Sequence, residues 1–338
     1  MKVAGIEVGD RPLILAPMED VTNPPFRKFC KKYGADWLYS EFVSADALVR
    51  SVNKSLKKLT IDETERPVTI QIYGRFIDSM VEAAKIVEEV RPDFIDINFG
   101  CPVKRVAQKG AGAGMLKDIP LMVEMTRQIV QAVKIPVTAK TRLGWDCEHI
   151  IIEDIAERLQ DVGIQALAIH GRTRSQMYSG EADWEPIARV KQNPRIKIPI
   201  IGNGDIDSPQ KVKEAFERYG VDGVMIGRVT IGKPWIFEQI KHYLTTGEML
   251  PELSVPAQIE IIKEQILLSM EWLDEVRGLF HMRRHMACMF KGLPHFRDLR
   301  IQMLQAPTIE ELWGVFDQIA ERYGSMDPED LVEEDLNS

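Results

Sequence analysis

Among the residues of this 338-residue chain, Cys101 is the one whose type and setting most invite chemistry. It lies in the stretch from Asp93 to Leu116, D-F-I-D-I-N-F-G-C-P-V-K-R-V-A-Q-K-G-A-G-A-G-M-L, where an apolar alternation ending in Asn98 reads as a buried strand and Gly100-Cys101-Pro102 then breaks it. Lys104, Arg105 and Lys109 follow at once. A free cysteine is ordinarily a small buried hydrophobe, but loop placement beside cations is what makes a thiol reactive. Gly110, Gly112 and Gly114 neither match G-x-G-x-x-G nor directly follow a strand, so they are no dinucleotide fingerprint. They are expected to let the loop pass close to a bound ring.

Other polar residues carry further chemistry. Gly202-Asn203-Gly204-Asp205 and Gly227-Arg228 have the composition of phosphate-holding turns, with glycine admitting backbone amides and arginine supplying charge. Lys140 ends an apolar run, and a lysine there is costly unless it meets an anion or a ligand. It suits an electron-rich ring that becomes anionic, or alternatively a Schiff base in a carbonyl lyase. His170, within H-G-R-T-R, reads as a ligand-facing histidine. Gln71 offers a donor and an acceptor to the edge of a flavin or pyrimidine ring.

Short apolar runs recur along the chain, each followed by a turn and an amphipathic helical segment. The expected strands are 13–16, 37–40, 68–72, 94–98, 137–140, 166–170, 200–202 and 223–226, with helices beginning near Pro24, Ser44, Phe76, Pro120, Glu148, Trp184, Ser208 and Pro234. Eight such units predict an α/β fold, a (β/α)8 TIM barrel, with a doubly wound open sheet as the competing topology. The polar residues decide for the barrel. Pro17-Met18, Ser40-Glu41, Gln71, Asn98 with Cys101, Lys140 with Arg142, His170 with Arg172, Asn203 to Asp205 and Gly227-Arg228 all fall at or just beyond strand C-termini, the rim where barrels keep their active sites.

Beyond this region the pattern turns helical, with helices expected over 255–272, 279–290, 297–305 and 308–323. The predicted division is a catalytic barrel over 1–243 and a small all-α domain over 244–338. The net charge of -8 is uneven: residues 245–338 hold 8 Lys and Arg against 18 Asp and Glu, and the remainder 35 against 33. Within the tail, Arg277, Arg283, Arg284, Lys291, Arg297 and Arg300 gather near Phe280, Phe290 and Phe296, which suggests a phosphate-tracking surface. The closing D-P-E-D-L-V-E-E-D reads as a solvated acidic tail. Four scattered cysteines, Cys30, Cys101, Cys147 and Cys288, form neither a zinc site nor a disulfide framework. No metal is expected. With no signal-like or membrane-spanning run, a cytoplasmic protein is expected.

Six blocks in order, L-A-P-M-E-D-V-T-N-P-P-F-R, N-F-G-C-P-V-K-R-V-A-Q-K-G-A-G-A-G-M-L, A-K-T-R-L-G-W-D, H-G-R-T-R, I-G-N-G-D-I and M-I-G-R, closely resemble the tRNA-dihydrouridine synthases. The likeness spans about residues 11–240, and M-R-R-H with K-G-L-P in the tail resembles the family's RNA-binding domain more weakly. The resemblance implies an FMN enzyme with NADPH as reductant that saturates the carbon 5 to carbon 6 bond of uridines in tRNA. By position it assigns Pro17, Met18, Glu19 and Gln71 to the flavin ring, Lys140 and His170 to its reduced form, and Asn203, Gly204, Asp205, Gly227 and Arg228 to its phosphate. Cys101 becomes the general acid. Asn98, Lys104, Arg142, Arg172, Arg174, Arg283, Arg284 and Lys291 are the expected substrate and tRNA contacts, in a protein expected to be monomeric. A flavin reductase of a free pyrimidine or small enone, a lyase using Lys140 and a non-catalytic RNA-binding scaffold are the competing readings.

Overall fold

Eight apolar runs become the strands of a closed, all-parallel barrel in the computed structural model, which describes residues 1–326. The expected acidic tail lies outside the described residues. A hairpin of β1 (Lys2–Val3) and β2 (Ile6–Glu7) precedes the barrel strands β3 (Leu13–Leu15), β4 (Trp37–Ser44), β5 (Val68–Tyr73), β6 (Phe94–Asn98), β7 (Val137–Arg142), β8 (Leu167–His170), β9 (Ile200–Asn203) and β10 (Gly223–Ile226). Each barrel strand pairs with its neighbour in sequence, and β10 closes against β3. The open-sheet alternative is thereby excluded.

Strand alternation sorts the side chains. In β6, Phe94 packs into the interior cluster with Ile14, Trp37, Tyr39, Ala168, Ile201 and Met225. Asp96 and Asn98 share its face, while Ile95 and Ile97 turn toward the surrounding helices. Truncating Phe94 to alanine in such a core costs about 3–5 kcal/mol. Val3 and Val8 join the same cluster, so the N-terminal hairpin packs at the end of the barrel where the strands begin.

The helices start where local chemistry allows. Asn23 caps Pro24–Lys32 by accepting the Phe26 N–H at 3.1 Å, with proline in the first turn. Asp118 caps Ile119–Ala132 through the Leu121 N–H at 3.1 Å. In Ile152–Asp161 the buried residues Ile152, Ile155, Ala156 and Leu159 trace one face at i, i+3, i+4 and i+7.

The helix expected over 279–290 is Glu275–Met286, β7 runs two residues further, to Arg142, and two other shifts in boundary have plain local causes. Strand β4 runs on to Ser44, because a register shift between Tyr39 and Phe42 absorbs the polar Ser40-Glu41 pair and Phe42 and Val43 then pair with Gln71 and Ile72. Ser40 and Glu41 therefore sit within the strand rather than at its end. After β7 the helix begins at Ile152, later than Glu148, because Asp146 accepts the backbone N–H groups of Glu148 and His149 and Gly144 bridges to Ile150.

The chain forms two compact units, Met1–Arg228 and the residues from Val229 onward. The second contains Val255–Leu273, Glu275–Met286, Arg297–Gln305 and Ile309–Tyr323. Its core includes Ile262, Ile266, Leu279, Met282, Phe316 and Ile319. Gly278 lets two of its helices touch, since a Cβ there would lie 2.4 Å from Met270 Cα. Among the described residues no helix is long and apolar enough to cross a membrane.

Candidate active site at the barrel rim

Because all eight strands are parallel, their C-terminal ends meet on one rim. Register places Asn98 beside Lys140, Arg142 beside His170, and His170 beside Asn203, which in turn lies beside Met225. Residues 22 to 42 positions apart are thus direct neighbours across the strands, and a linked set of hydrogen bonds fixes the part nearest Cys101.

The set begins below the rim. Asp96, fully buried, accepts from Thr138 Oγ1 at 2.6 Å and from Gln71 Nε2 at 2.7 Å. Gln71 Oε1 accepts from Asn98 Nδ2 at 2.8 Å, and Asn98 Oδ1 accepts the backbone N–H groups of Gly100 and Cys101, both at 2.9 Å. The chain from Thr138 to Cys101 therefore fixes the Asn98 amide orientation and, through it, the start of the thiol loop. Burial pushes the Asp96 carboxyl up to about 7, partly offset by Thr138 and Gln71. Sequence reasoning passed over Asp96, although its alternation with Phe94 and Asn98 marked it as an interior acid.

Cys101 is 7% exposed. Burial raises its pKa, against smaller opposing pulls from the Val103 backbone and the Arg142 charge, so the thiol stays protonated at neutral pH. The loop folds back on itself: the Ala113 N–H donates to Cys101 O at 3.1 Å, and a Cβ on Gly112 would stand 3.1 Å from Cys101 Cβ. A Cβ on Gly114 would come within 2.4 Å of Ala107 O. Gly112 and Gly114 thus serve close packing within their own loop.

Across the rim, positive charge accumulates. Lys140 forms no ion pair among the described residues; burial and Arg142 pull it down to about 8, with Asp96 pulling back. His170 is buried and held well below its usual pKa by burial and then by Lys140, Arg142, Arg172 and Arg228, so it is a neutral imidazole. Gly204, at φ +129°, could not carry a side chain, because a Cβ would meet Ala182 at 2.6 Å and His170 at 3.1 Å. Gly227 has room beside its α-carbon, with Ala16 and Met18 as the nearest side chains at 3.5 and 3.8 Å from a Cβ position. Buried Asn203 donates to Met225 O at 2.8 Å. Half-buried Pro17 and Met18 follow β3 at the same rim. Lys140, with no ion pair among the described residues, the glycine turns at 204 and 227 and the Met18 thioether fit a flat ring bearing an anionic tail.

Several expected contacts take other roles. Gln71 is wholly buried, with its amide oxygen and nitrogen both engaged. The Asp205 carboxylate accepts from Arg172 Nη1 and Nη2 at 2.9 and 2.6 Å, from Arg228 at 2.7 Å and from the Ala182 N–H at 2.8 Å. It orients two arginines and, as an anion, does not itself suit a phosphate. Glu19 pairs with Lys58 at 2.7 Å, and Lys58 also reaches Glu41 at 3.2 Å. Its ammonium thus bridges the acids that, with Asp20, would otherwise resemble a cation site.

The arginines expected at the mouth divide. Arg142 is buried and donates to the carbonyls of Gly100, Thr173 and Met177, and Arg172 is buried on Asp205 and the carbonyls of Ser179 and Gly180. Both brace rim loops and are not presented to a polynucleotide. Lys104 is exposed on the short helix Lys104–Ala107 beside Cys101, and Arg174 is half-buried against Trp145. In the helical unit Arg284 and Lys291 are exposed, while Arg283 lies 4.2 Å over the exposed Phe280 ring. Phe290 and Phe296 are not surface aromatics; they pack together at 5.8 Å within the unit's core.

A family model described as Dihydrouridine synthase matches residues 14–321. The chain is 42% identical to tRNA-dihydrouridine synthase B of Pseudomonas aeruginosa over 290 residues, 86% of this chain and 87% of that one. It is 38% identical to a probable tRNA-dihydrouridine synthase of Rickettsia bellii over 329 residues, 96% and 98% of the two chains. Among solved structures, the fold resembles a 2-naphthoyl-CoA reductase (TM-score 0.58, 13% identity, 72% of this chain) and a histamine dehydrogenase from Rhizobium sp. 4-9 (0.53, 11%, 78%). This chain spans 51% and 50% of the length of those two structures. With the match covering nearly the whole barrel and most of the helical unit, and with the rim built as described, the chain belongs to the dihydrouridine synthase family of oxidoreductases.

Proposed function

We propose that this protein reduces uridines of tRNA to 5,6-dihydrouridine, with FMN held at the barrel rim and NADPH as reductant, in the cytoplasm. The observation that carries the reading is a protonated, nearly buried Cys101, fixed by Asn98, on the same rim as a cluster of cations with too little counter-charge. Pro17, Met18 and Lys140 would line the ring, and the turns at Gly204 and Gly227, with Arg228, would take the phosphate. Bound there and reduced by NADPH, FMN would supply the hydride that carbon 6 of the uracil receives.

The chain's own residues do the rest. As hydride arrives at carbon 6, negative charge develops on carbon 5 and the neighbouring carbonyl oxygen. Cys101 gives its Sγ proton to carbon 5, completing the saturated bond, and the thiolate recovers a proton from water. A thiol held above its usual pKa suits this step, because it arrives protonated at neutral pH. Lys140 opposes negative charge on the ring side, and neutral His170 donates a hydrogen bond without adding another cation. A uridine within folded tRNA must leave its stack to reach the rim, at a cost of a few kcal/mol. Exposed Lys104, and Lys291 of the helical unit, are among the cations that would meet phosphate.

The Cys101→Ala variant tests the assignment. It should keep bound FMN and its reduction by NADPH while losing roughly 100-fold or more of uridine reduction, measured as dihydrouridine formed per turnover. Wild-type turnover in that variant sinks the proton-donor role. A protein that purifies without FMN and shows no affinity for it sinks the whole reading.

A further inference from the structure

Behind the loop that carries Cys101 lies a second concavity of roughly 620 Å3, which the chemistry at the rim does not use. Its walls come from four successive loops of the barrel. Arg75 follows β5, Gln108 and Lys117 belong to the thiol loop and its continuation, Trp145 follows β7, and Arg174 follows β8.

Three cations converge here, and none forms an ion pair among the described residues. The one acid in the wall, Asp118, has Oδ1 occupied by the Leu121 N–H at the start of a helix. Trp145 positions two of the cations: Lys117 Nζ lies 3.9 Å and Arg174 Cζ 4.8 Å from its ring centroid. The indole is thus engaged by cations rather than left clear for a stacked base. Arg174 Nε is buried and has no acceptor among the described residues. Gly110, at φ +76°, makes room for Arg75, whose Cδ would stand 3.2 Å from a Cβ at that position. A pocket with this much unneutralised charge, an unmet N–H donor and exposed Arg75 and Lys117 is built for an oxyanion.

We propose that this pocket binds a backbone phosphate of the substrate RNA next to the uridine presented to Cys101. The proposal rests on the tRNA reading above. What ties the occupant to the reaction is the shared wall: Ala107, Gly110 and Gly114 line the pocket from the same loop whose other side holds the thiol. A phosphodiester seated on Arg75, Lys117 and Arg174 fixes the strand on one side of that loop while the flipped base is read on the other. It also supplies the acceptor that Arg174 Nε lacks.

The test uses the FMN-loaded full chain with the double substitution Arg75→Gln and Lys117→Gln, both at exposed positions, and tRNA lacking dihydrouridine. The expected result is a rise of about tenfold in the tRNA dissociation constant, with a plot of log affinity against log salt shallower by roughly 1 to 2. FMN content and the rate of flavin reduction by NADPH should equal wild type. Unchanged tRNA affinity and salt slope overturn the proposal. So does a slower NADPH step with tRNA binding intact, which would assign the pocket to a dinucleotide phosphate. A wild-type protein whose tRNA binding depends on Arg75 and Lys117 but which reduces no uridine supports this site and overturns the catalytic reading instead.

Discussion

Two clusters of buried charge in the barrel unit are built on opposite terms. Arg27 and Glu65, 1% and 0% exposed, meet at 2.6 Å, and the guanidinium also donates to the carbonyls of Thr22 and Thr60 at 2.9 and 2.7 Å. There the cation has a full set of partners. At the rim, Lys140, Arg142, His170 and Arg172 crowd together, with Asp205 serving Arg172 and Arg228 and, among the described residues, no carboxylate within ion-pair distance of Lys140. The first cluster is charge-balanced as folded, with Glu65 Oε1 alone left without a donor among the described residues. The second holds surplus positive charge that an anionic ligand would neutralise, and the difference separates a structural ion pair from a binding site without reference to any relative.

The largest effect expected from this contrast is in stability. Arg27→Ala leaves Glu65 buried without its partner and should cost about 3–5 kcal/mol, read as a lowered urea midpoint of the apo protein. Replacing both residues with methionine should recover much of that loss. A midpoint unmoved by Arg27→Ala would mean the pair contributes nothing, and the contrast with the rim would lose its structural half.

Much of the rim half of this contrast was legible before any coordinates, whereas the Arg27–Glu65 pair was not, and what was missed has physical causes. The eight apolar runs, the closure they imply and the gathering of Cys101, Lys140, His170 and Asn203 at strand ends follow from period and position alone. Ser40 and Glu41 misled because a register shift lets a strand carry a polar pair without ending. Arg142 and Arg172 misled for another reason: an arginine after a strand looks the same in sequence whether it reaches out to phosphate or folds inward onto carbonyls. Arg142 did carry a signal, since it stands two residues after Lys140 and so shares its interior face. Trp145 gave no such warning, because its meaning depends on Lys117 and Arg174, which are brought to it by different loops.

A second, smaller effect distinguishes the acid beneath the rim. Asp96 rises from an ordinary value near 3.8 to about 7 in the folded protein. Between those values the native state holds a proton that the unfolded chain has released, so this group's contribution is present in full below about pH 4 and is lost as pH rises through 7. Asp96→Asn cannot titrate. From pH 4.5 to 7.5 the wild type should therefore lose more stability than the variant, by on the order of a few kcal/mol, in urea unfolding of the apo proteins at each pH. Parallel pH profiles for the two proteins would show that Asp96 is ionised throughout and that Lys140 has a full counter-charge after all.

The smallest effect bears most directly on the site. Lys140 falls from 10.5 to about 8, so the folded protein disfavours its charge, a penalty present in full below about pH 8 and relieved as pH climbs through 10.5. Removing that charge should therefore spare the apo fold, in contrast with Arg27. Lys140→Met is expected to leave the urea midpoint at pH 7 unchanged or to raise stability by about 1 kcal/mol, the lost stem contacts being largely replaced by methionine. The same variant should bind FMN more weakly, by about tenfold or more, because the missing ammonium was the cation left over for the ligand. If Lys140→Met instead destabilises the apo protein as much as Arg27→Ala does, then the rim lysine is a structural charge like its counterpart. If it leaves FMN affinity unchanged, the surplus charge at the rim is not what recognises the cofactor.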